Sequence, residues 1–145
     1  MMKKLFAPGN DSPLVSAGLL VLRVFFGLEM LVQHGVEKMT SFNSTAPNFP
    51  DPLHVGHSIS LGLTVFAEVI AAALLAIGLF TRAAAAVLAF EMAVAFVMVH
   101  QMEFSGKMPG EMAFMFFGVY LALLIMGPGR FSLDLAFFGK GGSGK

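Results

Sequence analysis

Long apolar runs broken by short polar segments set the pattern of this chain. Apolar residues dominate Leu14–Val36, Ile59–Phe80, Ala83–Val99 and Met112–Met126. A hydrocarbon core of about 30 Å needs about 20 helical residues, with a usable minimum near 17. The first three runs meet that length. The last is short, and Pro109 at the first helical position would extend it by about one turn. The pattern therefore predicts four membrane-spanning helices, an all-α integral membrane bundle.

The polar breaks predict how the spans connect. The Thr81-Arg82 break is so short that the second and third spans must form an antiparallel hairpin. The stretch from Thr40 to Ser58 is long and rich in Asn, Ser and Pro. Within it Asp51-Pro52 reads as a helix start, with Asp51 as cap and Pro52 at the first helical position. Gly127-Pro128-Gly129 should end the fourth helix, because proline lacks the amide donor and glycine accepts the reversal. Ser132 to Phe138 then reads as a short interfacial turn. The domain reading is one four-helix unit over 1–138 and a disordered Gly-rich tail over 139–145.

Composition agrees with a lipid setting. Hydrophobic residues make up 57% of the chain and charged residues 12%, against about 25% charged in an ordinary soluble domain. Zero net charge argues against a nucleic-acid partner, and the absence of cysteine removes disulfide and thiol chemistry from this chain. The N-terminal stretch, with Lys3 and Lys4 before Pro8-Gly9-Asn10-Asp11, does not read as a cleavable signal. An even number of spans puts both termini on one side. Lys3, Lys4, Arg82, Arg130, Lys140 and Lys145 fall on that side and only Lys38 and Lys107 on the other. That asymmetry predicts both termini cytoplasmic.

Against this background the intramembrane charges carry the information. Arg23, Glu29, Glu68 and Glu91 lie inside apolar runs. An ionised group near the bilayer centre costs at least about 2.5–3.5 kcal/mol, so such groups face the bundle and find partners. Counting about 1.5 Å per residue places Arg23, Glu68 and Glu91 roughly 13–17 Å below the outer surface. Arg23 is expected to pair with Glu68 or Glu91, leaving the other acid to titrate. Such a set is either a latch between helices or a proton or ligand site. All four histidines, His34, His54, His57 and His100, fall at the outer face. His34 and His100 end apolar helices, where imidazole can bond a carbonyl or relay a proton. His54 and His57 read as solvated loop residues. Met92, Met98, Met102, Met108, Met112 and Met115 gather near the third connection, which suits apolar packing better than copper.

Taken together these motifs resemble the DoxX family of small bacterial membrane proteins. The matching pieces are Arg23, Gln33-His34-Gly35-Val36-Glu37-Lys38, Phe49-Pro50-Asp51-Pro52, Glu68, Gly78-Leu79-Phe80-Thr81-Arg82, His100 and Gly127 to Asp134. The resemblance runs from about Leu14 to Asp134. It implies a four-helix protein of the bacterial plasma membrane associated with redox processes, including thiosulfate:quinone oxidoreduction, quinone or catechol stress and complexes with oxidative-stress enzymes.

The expected function is a quinone-linked membrane subunit that holds a lipophilic redox molecule within the bundle. His34, His100, Glu68 and Glu91 are the candidates for proton exchange, and Arg23, Glu29, Gln33 and Lys38 for holding the bound molecule. No haem, flavin or nucleotide motif is visible, so electrons would pass between the bound molecule and a partner subunit. Two other readings stand beside it: a non-catalytic assembly or anchoring subunit, and a small transporter or metal-handling protein.

Overall fold

The computed structural model describes residues 12–106 and 109–139. Among these the chain is helical with no strand. Helix α1 runs Pro13–Thr40, α2 His57–Ile77, α3 Thr81–Val99, α4 Glu111–Met126 and α5 Leu133–Phe138. The first three are long and apolar enough to cross a membrane, and α4, at 16 residues, is apolar but shorter. The N-terminal lysines and the glycine-rich tail from 140 onward lie outside the described residues.

Local chemistry accounts for most boundaries. Ser12 caps α1, its hydroxyl accepting from the Val15 amide at 3.2 Å, and Pro13 occupies the first helical position. Proline is favoured there because its missing amide hydrogen has no intrahelical partner in any case. At the other end α1 outlasts its apolar run. Its 28 residues make a rod of about 42 Å, so Lys38 sits on helix rather than in a loop. The α2–α3 turn reverses through Gly78 at φ 73° and Phe80 at φ 50°. Gly127, at φ 85°, ends α4 as expected.

Two sequence-based boundaries are corrected. Pro109 does not begin α4; Gly110 is the cap, its amide bonded to the Glu103 carbonyl at 2.7 Å, and the helix starts at Glu111. Asp51 does not cap α2 directly either. The chain turns through Gly56 at φ 104°, and α2 starts at His57. Between α1 and α2 lie a helical turn, Phe42–Thr45, and a tight turn, Ala46–Asn48.

Helices pack most extensively as the pairs α3–α4 and α1–α2. Lipid tails are as apolar as leucine, so association rests on close backbone approach and shape rather than on escape from water. Small residues make that approach possible. A Cβ on Gly27 would come within 2.9 Å of the Ala72 carbonyl oxygen, and one on Gly35 within 2.6 Å of the Glu68 carbonyl oxygen. Ala72, Leu75, Ala85, Leu88 and Leu123 form the buried centre, with Tyr120 donating its hydroxyl to the Phe26 carbonyl at 3.3 Å. Phe25, Phe90 and Ile125 point outward, as lipid-facing residues do.

A clasp closes the end of the bundle that holds the α2–α3 turn. Beyond α4 the chain folds back so that the Asp134 carboxylate accepts from the amides of Phe80 at 2.7 Å and Thr81 at 2.9 Å, capping α3. The Asp134 amide donates to the Gly78 carbonyl at 2.8 Å. Arg130 donates its amide to the Ser16 hydroxyl, and Arg82 donates Nη1 to the Leu124 carbonyl. Four helices are thereby tied at one end.

Candidate functional site

The opposite end of the bundle holds a cavity of about 590 Å³, bounded by α1, α2, α3, α4 and the segment 49–53. That volume suits a drug-sized ligand. Most of the wall is apolar, from residues such as Met30, Phe66, Ala67, Val94 and Phe116. Its polar lining includes His34, Lys38, Ser60, Thr64, Glu68, Glu91 and His100.

Helical geometry explains how these groups converge. Three spans each carry a widened turn of i→i+5 hydrogen bonds: Met30–Gly35 in α1, Phe66–Ala71 in α2 and Ala95–Val99 in α3. Such turns are rare and recur at functional sites. His34 and Glu68 lie within two of them, and His100 caps the third. In α1 the five-residue spacing aligns Glu29 with His34, whose Nε2 stands 3.8 Å from the Glu29 carboxylate. The His34 ring also meets Phe116 edge to face.

Lys38 and Glu68 form the central ion pair. Lys38 Nζ donates to both carboxylate oxygens of Glu68, at 2.8 and 2.7 Å, and Glu68 is buried. Glu91 stands apart. Its two carboxyl oxygens are out of contact with solvent, and neither makes a hydrogen bond of good geometry, although Thr64 shares the wall. A buried polar group without a partner costs about 1–3 kcal/mol.

Arg23 lies elsewhere, which corrects the expected pairing with Glu68 or Glu91. It is fully buried at the clasp end, donating Nη2 to the Phe131 carbonyl at 2.5 Å and packing against Gly78. The cause is the length of α1. Depth counted back from His34 assumes that the helix stops there, whereas it continues to Thr40. Side chains on a helix also lean toward its N-terminus, which carries the guanidinium away from the cavity. Glu29 and the exposed Gln33 do not line the cavity. Five of the eight expected residues, His34, Lys38, Glu68, Glu91 and His100, are brought together by it.

Sequence reasoning counted Lys38 with the outer-side charges beyond the first apolar run and so missed it as the partner of Glu68. Its spacing of four from His34 was the available signal, since such residues share a helix face. The segment 49–53 was also missed as a wall of the cavity. Asp51 fixes it by accepting from the Val55 and Gly56 amides at 3.0 and 2.8 Å and from the Ser60 hydroxyl at 2.6 Å. The Ser60 bond, above all, holds the Asp51 carboxyl below its ordinary value; partial desolvation opposes it, and the two amides and His57 add to the lowering. His57 Nδ1 donates to the Phe49 carbonyl at 2.6 Å, so this histidine braces the segment. Among the described residues no group of three or more His, Asp or Glu side chains is placed to hold a metal ion.

The DoxX family model matches residues 18–101, more than half of the chain. The chain belongs to the DoxX family. All five charged and imidazole residues of the cavity fall within the matched span of this DoxX protein, while α4 and the clasp's C-terminal segment with Asp134 lie beyond it. Together with its apolar helices, membership makes it a multi-pass membrane protein. Neither a curated protein nor a solved structure matches the chain.

Proposed function

We propose that this DoxX protein is a redox-associated subunit of the bacterial plasma membrane that holds a quinone or similar lipophilic redox molecule in the cavity. On this reading α4 is a fourth span and both termini face the cytoplasm, with the cavity opening toward the outer side. The fit is chemical. An apolar chamber of about 590 Å³ accepts a flat ring, and Lys38 stands in its wall as a donor toward a ring oxygen. A bound quinone would supply the electron and proton couple.

The chain's own groups have distinct parts in this reading. Glu68 holds Lys38 in place, so the ammonium is oriented before a ligand arrives. Glu91 is the group that accepts or returns a proton at the ring. His34 and His100, nearer the end of the bundle, exchange protons with the outside, since imidazole changes charge near neutral pH. A partner subunit exchanges the electrons.

One observation carries the proposal: a buried carboxyl at Glu91, without a hydrogen bond of good geometry, in the same wall as the Lys38–Glu68 pair. An intramembrane ionisable group of this kind points to function rather than packing. Solvent extraction of gently purified protein, followed by mass spectrometry, should recover quinone near one equivalent. Glu91→Gln and Lys38→Met should both reduce it. Wild-type protein that neither retains quinone nor binds added quinone sinks the reading.

A second reading, a non-catalytic assembly subunit, draws on the clasp. There Arg23, Arg82 and Asp134 serve backbone groups and fix helix register. Clasp variants that lose complex assembly while keeping quinone would favour it.

A further inference from the structure

The α2–α3 hairpin is closed at its turn and open at its far end. From the turn outward, α3 packs on Ala72–Ile77 and then on Phe66–Ala71 of α2. Past that point the partners change. The His57–Val65 segment of α2 packs on the last turns of α1 and on Ala46–Asn48, while the final turn of α3 packs on α4. The two helices part like a V, and the cavity occupies the opening. Its rim is formed by Leu63 and Phe66 on α2 and Val87 and Phe90 on α3. Each lines the cavity and is exposed, by 54%, 51%, 37% and 63%. Phe90 lies nine residues into α3, about 13 Å along its axis, so what faces this rim is lipid.

We propose that this gap is a lateral portal through which a single-tailed amphiphile enters from the bilayer, its head inside and its tail left in the opening. The head is specified by the back wall. Lys38 and Glu68 neutralise each other, and Glu91 is a buried carboxyl near the Thr64 hydroxyl that makes no hydrogen bond of good geometry. A head carrying a hydroxyl beside a carbonyl or ether oxygen satisfies both, the hydroxyl meeting Glu91 and the oxygen meeting Lys38. An anionic head would face two carboxyls across one ammonium. The volume holds a ring and a stub of chain and excludes a two-chained phospholipid. The portal rests on the quinone reading for the head; the tail and its route are additional to it.

The test uses the full chain in nanodiscs of phosphatidylcholine and phosphatidylglycerol, with a decyl-tailed dimethoxybenzoquinone and its tailless parent as probes. Leu63→Trp and Val87→Trp narrow the gap, and Ile125→Trp, exposed on α4 away from the cavity, is the control. Each rim variant should weaken the tailed probe by about tenfold or more and the tailless probe by less than about threefold, the scale set by overpacking with one bulky side chain. The control should change neither. Thermal unfolding checks that the variants fold, and Phe90→Ala, which widens the gap, should speed entry of the tailed probe. If the tailless probe binds and the rim variants treat both probes alike, the portal is wrong and the quinone reading stands. If neither probe binds wild-type protein, or phospholipid alone occupies the cavity, both are wrong.

Discussion

Replacing Asp134 with alanine should produce one of the largest stability losses available to a single substitution in this protein. The carboxylate accepts from two backbone amides at the start of α3, at 2.7 and 2.9 Å, and Thr81 is fully buried. Water cannot replace the lost acceptor at Thr81. Hydrogen bonds to a charged group contribute about 1.5–3 kcal/mol each. The carboxylate also lies within Coulombic reach of the buried Arg23, whose Nε and Nη1 make no hydrogen bond among the described residues. Losing both bonds and that field should cost on the order of 3–6 kcal/mol. Asp134→Asn keeps one oxygen acceptor and should cost about half as much. Thermal unfolding in detergent, followed by far-ultraviolet circular dichroism, should show the alanine midpoint lower by roughly 10 °C or more. Asparagine should fall between alanine and wild type. An alanine variant within about 2 °C of wild type would refute the view that this contact closes the bundle.

Three further outcomes follow from the geometry. Lys38→Met should strand the buried Glu68 carboxylate and destabilise by about 3–5 kcal/mol while it stays ionised; Lys38→Met with Glu68→Met should recover most of that loss, and a double variant as unstable as the single would exclude a dominant ion-pair effect. Gly35→Ala drives a methyl to 2.6 Å from the Glu68 carbonyl and should cost about 1–3 kcal/mol. Gly118→Ala meets nothing within 4 Å and should gain about 0.5–1 kcal/mol from helix propensity; equal melting shifts would contradict the close α1–α2 approach. For Asp51, whose folded value is lowered from the ordinary 3.8, the stabilisation is complete above that value and is lost as pH falls through the lowered one. The Asp51 carboxyl signal in aspartate-labelled protein should titrate below 3.8, and Ser60→Ala should move it upward; an unshifted signal in both proteins would remove the brace on segment 49–53.

The chain's sequence was enough to determine where the helices lie, because those signals are local. Apolar length located the cores of all four long helices. Glycine and proline at Gly127-Pro128-Gly129 ended α4 for reasons contained within a few residues, while Ser132 to Phe138, read as a turn, forms the short helix α5 with Ser132 as its cap. Its limits appeared at the ends, where Lys38 lies on helical turns beyond the apolar run of α1 and Gly56, not Asp51, precedes α2. The pairings were decided only by the tertiary structure. Arg23, Glu68 and Glu91 were recognisable as buried charges, but hydropathy says nothing about which way a side chain leans or which neighbour lies across the bundle. Arg23 meets Phe131, more than a hundred positions away, and Glu68 meets Lys38 across the α1–α2 contact. Both follow from how far α1 extends and from the glycines that set its distance to α2. The cavity has the same origin: it exists because two helices joined by a tight turn separate at their far ends, and separation is a property of packing that no single segment encodes.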